Sequence, residues 1–446
     1  MSSEYIQIRN AIKHKTLNTK EGEELFLSMS KEYQSYVNKD DFVNHIVSDD
    51  KETFLWHDYE SWGARPMFDQ ASQYASVRTD HELNVIDLPT DIYCKPSLHR
   101  LPEPIAVQVT HLSPLKCYKE GIIEYKFFSQ IKTEMSLDGT CAIAYNGLKF
   151  DSVLTRFAFY RNLFPAYEHE YGNNKSRWDI LMLGAMFRAL RPEGINWPAD
   201  ATGKKSLKLE LLAPANNIIQ VNSHCAIDDC LALVGWAKCL KNSNPQLWDY
   251  VFSIKSKKAS KELVKPKQNM LIHTNMGFGI ETLYTKPILP LFFLKNEKDA
   301  FIALDLTRDF KTYENLSPKE LNKLIYSKKV DLEAQGIERP PLIKIKSNSC
   351  PALAPVSSLR NEDAKRLNID LHKSRSNANA MIKNNKALDL IKKAFAIETE
   401  SKDPTDVEHQ LYSGNFFCNS DQTKLKELHS RGIEFALIDE STEWVD

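Results

Sequence analysis

The chain has 446 residues, which exceeds one ordinary hydrophobic core, so two or three domains are expected. Apolar residues make up 42% and charged residues 26% of the chain, a composition typical of globular proteins. The formal net charge of −1 gives no overall basic field, so any nucleic acid must be bound by local Lys and Arg patches.

The sequence shows no pattern for secretion, membrane insertion or paired cysteines. The first residues lack the basic-then-apolar pattern of a signal peptide, and no apolar run approaches the ~20 residues that span a bilayer. We therefore expect a cytoplasmic protein with no membrane partner. The eight cysteines include no C-x-x-C pair, which predicts reduced thiols rather than a zinc site or disulfide framework.

Residues 1–50 form the first predicted segment. Their apolar residues, among them Leu25, Phe26, Met29 and Tyr33, have helical spacing within a charged sequence. This pattern predicts a helical extension, and the sequence does not indicate its role.

The apolar run from Phe54 to Glu60 predicts a strand that carries Asp58 and Glu60 two residues apart. Side chains of a strand alternate between faces, so both carboxylates should lie on one face. Two adjacent carboxylates repel unless a cation lies between them, and Mg²⁺ prefers oxygen ligands. An isolated D-x-E is more often the solvent-exposed end of a strand, so the interpretation depends on further ligands.

Strands and helices alternate over residues 51–252, which predicts an α/β domain with a mixed sheet. The candidate strands are 82–86, 91–94, 106–110 and 141–146, and the candidate helices are 152–164, 178–190, 207–213 and 226–240. Asp151 follows the strand 141–146, at the edge where α/β sheets bind ligands, and is a third candidate carboxylate. Its alternative role is a helix N-cap.

His224 and Asp229 are separated by four residues near the start of the last predicted helix of this domain. Five residues of helix turn ~500°, so the two side chains converge only if His224 lies in the loop and Asp229 inside the helix. A loop histidine with satisfied hydrogen bonds is the simpler alternative for His224 alone.

The second half of the chain predicts two smaller regions. A lysine-rich linker and strand-like segments at 270–273, 280–284, 289–294, 300–306 and 342–346 predict a small β domain over 253–355. Residues 356–446 are charged and helical in pattern.

The order D-x-E, Asp after a strand, and H-x(4)-D resembles the DEDDh exonuclease superfamily, which includes polymerase proofreading domains. Longer segments resemble bacterial exodeoxyribonuclease I in particular. These segments are His57-Asp58-Tyr59-Glu60, Ser176-Arg177-Trp178-Asp179, the stretch from Ala189 to Pro198, and the stretch from Asp406 to Tyr412.

The resemblance implies a ribonuclease H-like α/β exonuclease domain, a small SH3-like β-barrel and a helical C-terminal region. In this chain that last region is shorter than in the family, which leaves processivity open. The implied activity is 3′-to-5′ hydrolysis of single-stranded DNA to 5′-mononucleotides by two metal ions, with a role in DNA repair or recombination. A monomer is expected.

The resemblance also implies roles for individual residues. Asp58, Glu60, Asp151 and Asp229 would bind two Mg²⁺ ions, with Mn²⁺ a possible substitute, and His224 would be the general base. The expected contacts with single-stranded DNA are Glu60, Arg156, Tyr167, Tyr171, Lys208 and Asn222. Lys208 stands where the family has an arginine, so it keeps the charge and loses the bidentate fork.

Arg191 would help to bind the acidic C-terminal tail of single-stranded DNA-binding protein. Its alternative role is to cap the C-terminus of a helix.

Two other functions are compatible with the sequence. The first is the same chemistry on RNA or short oligonucleotides, because the DEDDh residues alone do not select the sugar. The second is a catalytically weak adaptor that binds single strands, although an adaptor has no need of all five catalytic residues.

Overall fold

The protein is described by a computed structural model that covers residues 4–12, 15–219, 226–397, 404–413 and 417–431. Within these ranges, no helix combines the length and the apolar composition needed to cross a bilayer. None of the seven described cysteines forms a disulfide.

The N-terminal extension is helical. Its helices are α1 (Glu4–Ala11), α2 (Thr19–Leu27), α3 (Lys31–Tyr36) and α4 (Lys39–Val47). Their apolar faces enclose a cluster in which Tyr5, Tyr33 and Phe42 are fully buried together with Ile86 of the following domain. The Tyr33 hydroxyl donates to the carbonyl of Ile86. The extension therefore packs on the next domain and shares its core cluster with it.

The central domain is built on a five-stranded mixed sheet of order β3-β2-β1-β4-β5. Its strands are β1 (Thr53–Ser61), β2 (Ala71–Thr79), β3 (Thr90–Tyr93), β4 (Thr140–Ala144) and β5 (Ser176–Asp179). Its helices are α5 (Pro104–Thr110), α6 (Pro114–Glu120), α7 (Glu124–Met135), α8 (Asp151–Arg161), α9 (Ile180–Leu190), α10 (Leu209–Ala215), α11 (Ala226–Ser243) and α12 (Pro245–Ser253). β1 pairs antiparallel with β2 and parallel with β4, so the mixed sheet is confirmed.

β2 is not predicted from the sequence. It lies between β1 and β3 and is buried along its whole length. Its residues are largely small or polar, so they show no apolar period. Arg78 on this strand is 2% exposed and donates to the hydroxyls of Thr53 and Thr140 and to the carbonyl of Glu134. These hydrogen bonds satisfy a buried guanidinium that a sequence pattern would assign to the surface.

The predicted strand at 106–110 is wrong, because these residues lie in α5. Pro104 occupies the first turn, where its fixed φ and missing N–H favour a helix start. Val109 is 51% exposed, so the valines of this segment are not the buried face of a strand.

The second half of the chain contains a five-stranded antiparallel sheet of order β10-β6-β7-β8-β9. Its strands are β6 (Leu271–Thr274), β7 (Thr285–Phe293), β8 (Ala300–Asp305), β9 (Leu342–Lys346) and β10 (Ala352–Pro355). The accompanying helices are α13 (Lys257–Leu263), α14 (Pro318–Tyr326), α15 (Lys329–Ala334), α16 (Asn361–Arg366), α17 (Leu371–Lys383), α18 (Asn385–Phe395) and α19 (Asn419–Arg431).

The predicted strand at 280–284 is also wrong. Residues Ile280–Thr282 form a 3₁₀ turn, which is followed by Leu283 and Tyr284 with φ of 46° and 59°. These left-handed conformations are incompatible with a strand. They turn the chain into β7, which begins at the next residue.

The buried cluster of the extension leads to a test of stability. Phe42→Ala should lower the free energy of unfolding by about 3 to 5 kcal/mol, because it removes a fully buried ring and leaves a cavity. Urea unfolding would measure this loss. Leu27→Ala in the neighbouring α2 is the control, since Leu27 is 64% exposed and its truncation should cost at most about 0.5 kcal/mol. Equal effects of the two substitutions would contradict the packing described.

Candidate active site

Asp58 and Glu60 lie on one face of β1, near its C-terminal end. Tyr59 between them points to the opposite face, where it is buried, and its hydroxyl accepts a hydrogen bond of 3.1 Å from Thr155 of α8. The period-two alternation of the strand thus directs both carboxylates to the same side of the sheet.

Asp229 joins this pair from the first turn of α11, which packs against β1 and β2. Carboxylate oxygens of Asp58, Glu60 and Asp229 lie within 4.8 Å of one another. Among the described residues, this is the set of acidic, histidine and cysteine side chains that is close enough to share one cation.

Asp151 is the first residue of α8. A buried carboxylate accepts hydrogen bonds from the turn that precedes it. Asp179 accepts hydrogen bonds from the backbone N–H groups of Asn146 (3.1 Å) and Leu148 (3.4 Å). Gly147 is needed in this turn because a Cβ there would lie 2.4 Å from the Cβ of Ala144 and 3.0 Å from the Asp151 carboxylate. Asp151 therefore has a fixed position beside β1.

Three carboxyl groups of the site, those of Asp58, Glu60 and Asp151, have raised pKa values. Burial raises the pKa of Asp58 well above its ordinary range, and the charges of Asp151, Glu60 and Asp229 raise this pKa further. Burial, followed by the charges of Asp229 and Asp151, raises the pKa of Glu60 to about 8. Burial is also the largest cause that raises the pKa of Asp151 to about 7.

This donor set fits a hard divalent cation. Partly buried carboxylates that repel one another lose that repulsion when a dication binds between them, and oxygen is the ligand atom that such ions prefer. Asp58, Glu60 and Asp229 supply the converging oxygens, and the charge of Asp151 acts on Asp58.

The acidic cluster opens into a cavity of about 570 Å³. Asn146 and the segment from Lys205 to Glu210 line its walls, and Met276 and Tyr284 reach it from the second domain. The hydroxyl of Tyr145 donates to the carbonyl of Leu207 and fixes this segment to the end of β4. The cavity is therefore large enough for one terminal nucleotide of a strand to lie against the carboxylates, between the two domains.

The predicted substrate residues have different environments. Lys208 lies in the wall of the cavity, with its side chain 70% exposed and 2.9 Å from Glu210. Tyr171 is 68% exposed. Arg156 forms a largely buried ion pair with Glu170 at 2.6 Å, and its guanidinium lies 5.4 Å from the ring centre of Tyr167.

The predicted general base, His224, and the predicted DNA contact Asn222 lie outside the described residues. Arg191 is the C-cap residue that follows α9, and its side chain is 28% exposed. It donates to the carbonyl of Ser358 at 3.1 Å and lies 3.7 Å from a carboxylate oxygen of Asp363.

Sequence reasoning missed two positioning carboxylates, Asp179 and Glu170. Glu170 has a side chain that is 8% exposed and pairs with both Arg156 and Arg177, the latter at 3.2 Å. Asp179 ends the segment Ser176-Arg177-Trp178-Asp179, which carries part of the family resemblance, and this was the signal that could have found it. The sequence contains no comparable signal for Glu170.

Comparison with protein families assigns both domains. Residues 55–236 match the Exonuclease (RNase T) family, and residues 255–397 match the Exonuclease I SH3-like domain. The predicted fold class, an exonuclease domain with a mixed sheet followed by an SH3-like domain and helices, is confirmed. The fold and the acidic site define an exonuclease with a site for a divalent metal ion.

Individual relatives narrow this class. Exodeoxyribonuclease I of Haemophilus influenzae is 36% identical over 383 residues, which cover 86% of this chain and 81% of the relative. The crystal structure of Escherichia coli exonuclease I in complex with a dA16 oligonucleotide superimposes with a TM-score of 0.85 at 34% identity, and covers 89% of this chain and 84% of that one. The zinc-bound form of an E. coli exonuclease I complex with single-stranded DNA gives a TM-score of 0.84 at 34% identity, covering 89% and 83%. The chain belongs to the exodeoxyribonuclease I family.

The repulsion among the carboxylates predicts an unusual pH dependence of stability. Because the pKa of Glu60 rises from 4.5 to about 8 on folding, the folded protein retains a proton that the unfolded chain releases between these values. The contribution of Glu60 to stability is therefore present below pH ~4.5 and is lost as the pH rises through about 8. The side chain of Glu60→Gln stays neutral at every pH. In metal-free buffer, the stability of this variant relative to the parent should therefore increase as the pH rises from 4.5 to about 8.

Urea unfolding of both proteins across this pH range, with a chelator present, would measure the difference. Adding a divalent cation at the upper end should stabilise the parent more than Glu60→Gln. Asp249→Asn, which removes a carboxylate at an exposed position on α12 outside the acidic cluster, is the control. If Glu60→Gln behaves like this control, the predicted charge repulsion is wrong.

Proposed function

We propose that the chain is a 3′-to-5′ exonuclease that hydrolyses single-stranded DNA to 5′-mononucleotides with two bound Mg²⁺ ions. The observation that carries the proposal is the convergence of Asp58, Glu60 and Asp229 at the floor of a cavity of nucleotide size. The relatives provide the substrate class, since solved structures of E. coli exonuclease I contain single-stranded oligonucleotides. We place the activity in the cytoplasm, in DNA repair or recombination, and expect a monomer.

Metal ions bound at this site would lower the pKa of an attacking water and stabilise the leaving 3′ oxygen. Asp58, Glu60, Asp151 and Asp229 are the residues proposed to hold them, and Mn²⁺ is a possible substitute. Asp179 keeps the turn before Asp151 in place.

His224 is the proposed general base. Its ordinary pKa near 6.5 suits the removal of a proton from water near neutral pH. The proposal rests on its spacing from Asp229 and on the family resemblance.

The substrate contacts proposed are Glu60, Lys208, Arg156, Tyr167, Tyr171 and Asn222. Lys208 and Tyr171 support the proposal by their exposure, since a solvated ammonium and an exposed ring suit phosphate and base binding. Arg156 keeps Tyr167 in position through the contact of its guanidinium with the ring. Because Glu170 neutralises part of its charge, Arg156 is better suited to positioning Tyr167 than to binding a phosphate alone.

We further propose that Arg191 belongs to a binding surface for the acidic tail of single-stranded DNA-binding protein. Three guanidinium groups, those of Arg191, Arg360 and Arg366, surround the single carboxylate of Asp363, whose side chain is 1% exposed. Glu193 pairs with Arg360. Glu362 also pairs with Arg360 at 3.1 Å, so three carboxylates match the three guanidinium groups, and the proposal rests on the family resemblance.

A digestion assay tests the nuclease activity. With Mg²⁺, the protein should release 5′-mononucleotides from single-stranded DNA that is labelled at its 5′ end and should shorten it from the 3′ end. Asp58→Ala and Asp229→Ala should each lower the rate by about a thousandfold or more, because each removes a proposed ligand. Asp249→Ala at an exposed position is the control.

RNA of the same sequence is the discriminating substrate in this assay. Equal or faster degradation of RNA would replace the DNA assignment by an RNA exonuclease. Binding of the strand with Mg²⁺ but without shortening would indicate a catalytically weak adaptor instead.

The partner surface has a separate test. Arg191→Ala should weaken binding of an acidic peptide with the sequence of the tail by about tenfold, while hydrolysis of naked DNA stays unchanged. Fluorescence anisotropy of a labelled peptide would measure the affinity, and Arg191→Lys would separate charge from geometry. An unchanged affinity in Arg191→Ala would contradict the assignment.

A further inference from the structure

A second cavity, of about 340 Å³, is lined in part by the loop that follows β1 and is not used by the function proposed above. Three separate stretches of chain form its walls. These are the loop after β1, the loop after β3 and the segment 404–413, and the residues that matter here are Trp62, Arg65, Phe68, Arg100, Asp406 and His409.

The first wall continues from the metal site. Trp62 follows Glu60 by two residues, and its backbone N–H donates to the carbonyl of Gln70 at 2.9 Å, just after a register shift between Glu60 and Ser61. Two residues of extended chain span at most ~7 Å, so the backbone of Trp62 lies within that distance of the backbone of Glu60.

The opposite wall is tied to the helix that carries Asp151. Tyr412 packs edge-on against Phe157 of α8 with ring centres 5.3 Å apart, and its hydroxyl accepts a hydrogen bond of 3.3 Å from Arg156. The segment 404–413 therefore connects the cavity with the residues proposed to contact DNA.

The walls combine aromatic rings with buried N–H groups. Phe68 and His409 contact each other with ring centres 4.4 Å apart, and Trp62 is 4% exposed. Nε1 of Trp62 and Nε2 of His409 are both buried and have no hydrogen-bond partner among the described residues. Buried polar atoms are normally paired, so these two nitrogens indicate a missing partner.

Both guanidinium groups of the walls are paired with carboxylates, and Asp406 adds a further carboxylate to the lining. Arg65 pairs with Asp69 at 2.9 Å, and Arg100 pairs with Glu408 and donates to the carbonyl of Phe68 at 2.6 Å. Guanidinium groups that are already paired attract a phosphate weakly. A flat, uncharged ring with polar edges fits these walls better than a phosphate does.

We propose that this cavity binds one nucleobase of the DNA strand, close to the 3′ end that enters the metal site. The inference rests on the proposed function, because it assumes that a single strand lies along the carboxylate cluster. Phe68 and His409 supply the stacking surface. Sequence-independent stacking of this kind would retain the strand between successive cleavages.

Abasic substitutions in the DNA test the proposal. The parent for this experiment is Asp58→Asn, which keeps the strand uncut, and the probe is oligothymidylate with a single abasic residue at successive positions from the 3′ end. Loss of one stacked base should weaken binding roughly five- to a hundredfold at one position. Adding Phe68→Ala should weaken binding of the intact strand by a similar factor and remove the penalty at that position.

Phe68→Leu is the second variant, since it keeps apolar volume and loses the ring, and it should act in the same direction. Tyr36→Ala, which truncates an exposed ring of α3 in the N-terminal extension, should leave both affinities unchanged. Melting temperatures of all variants would show that the fold is retained.

The proposal is overturned if Phe68→Ala keeps the full penalty of the abasic residue, or if no position near the 3′ end shows a penalty. It is also overturned if free thymidine 5′-monophosphate binds to the cavity as tightly as the strand does, because the ligand would then be a mononucleotide. These outcomes concern binding alone. Failure of the wild-type protein to shorten DNA would instead remove the proposed function and leave the result on binding intact.

Discussion

Electrostatic repulsion between carboxylates at the end of β1 is the constraint on which the rest of the site depends. Asp58, Glu60 and Asp229 are held together although burial and mutual repulsion raise the pKa of the first two. The surrounding fold supplies the free energy that keeps them in place. β1 is paired on both sides, and α8 is attached to it through the hydrogen bond between Thr155 and Tyr59. A cation at this point converts a destabilising arrangement into a binding site.

The second domain contributes two residues to the wall of this site. Met276 and Tyr284 lie in the wall of the cavity above the carboxylates. The domains also make direct contacts, since Arg177 donates to the carbonyl of Asn348 at 3.2 Å and the thiol of Cys350 donates to the carbonyl of Arg177 at 3.1 Å. The shape of the cavity therefore depends on how the SH3-like domain packs against the exonuclease domain.

Much of the architecture could be predicted because its signals are local. Period-two alternation predicted the shared face of Asp58 and Glu60, and the position of Asp151 followed from the end of a strand. β2 was missed because its burial comes from strands on both sides and from hydrogen bonds of Arg78, which no local apolar pattern records. The second cavity could not be predicted either, since Trp62 and His409 are far apart in sequence and meet only through tertiary packing.

The N-terminal helices determine where this chain can be divided into fragments. Ile86 is fully buried in a cluster with Tyr5, Tyr33 and Phe42, although it belongs to the exonuclease domain. The Exonuclease family match begins only at residue 55. A fragment cut at that boundary would expose an apolar surface that the helices normally cover, together with the carbonyl to which Tyr33 donates. The boundary of the family match thus separates the helices from a residue that is buried against them, and a chimaera with a relative should keep the helices together with the surface they cover.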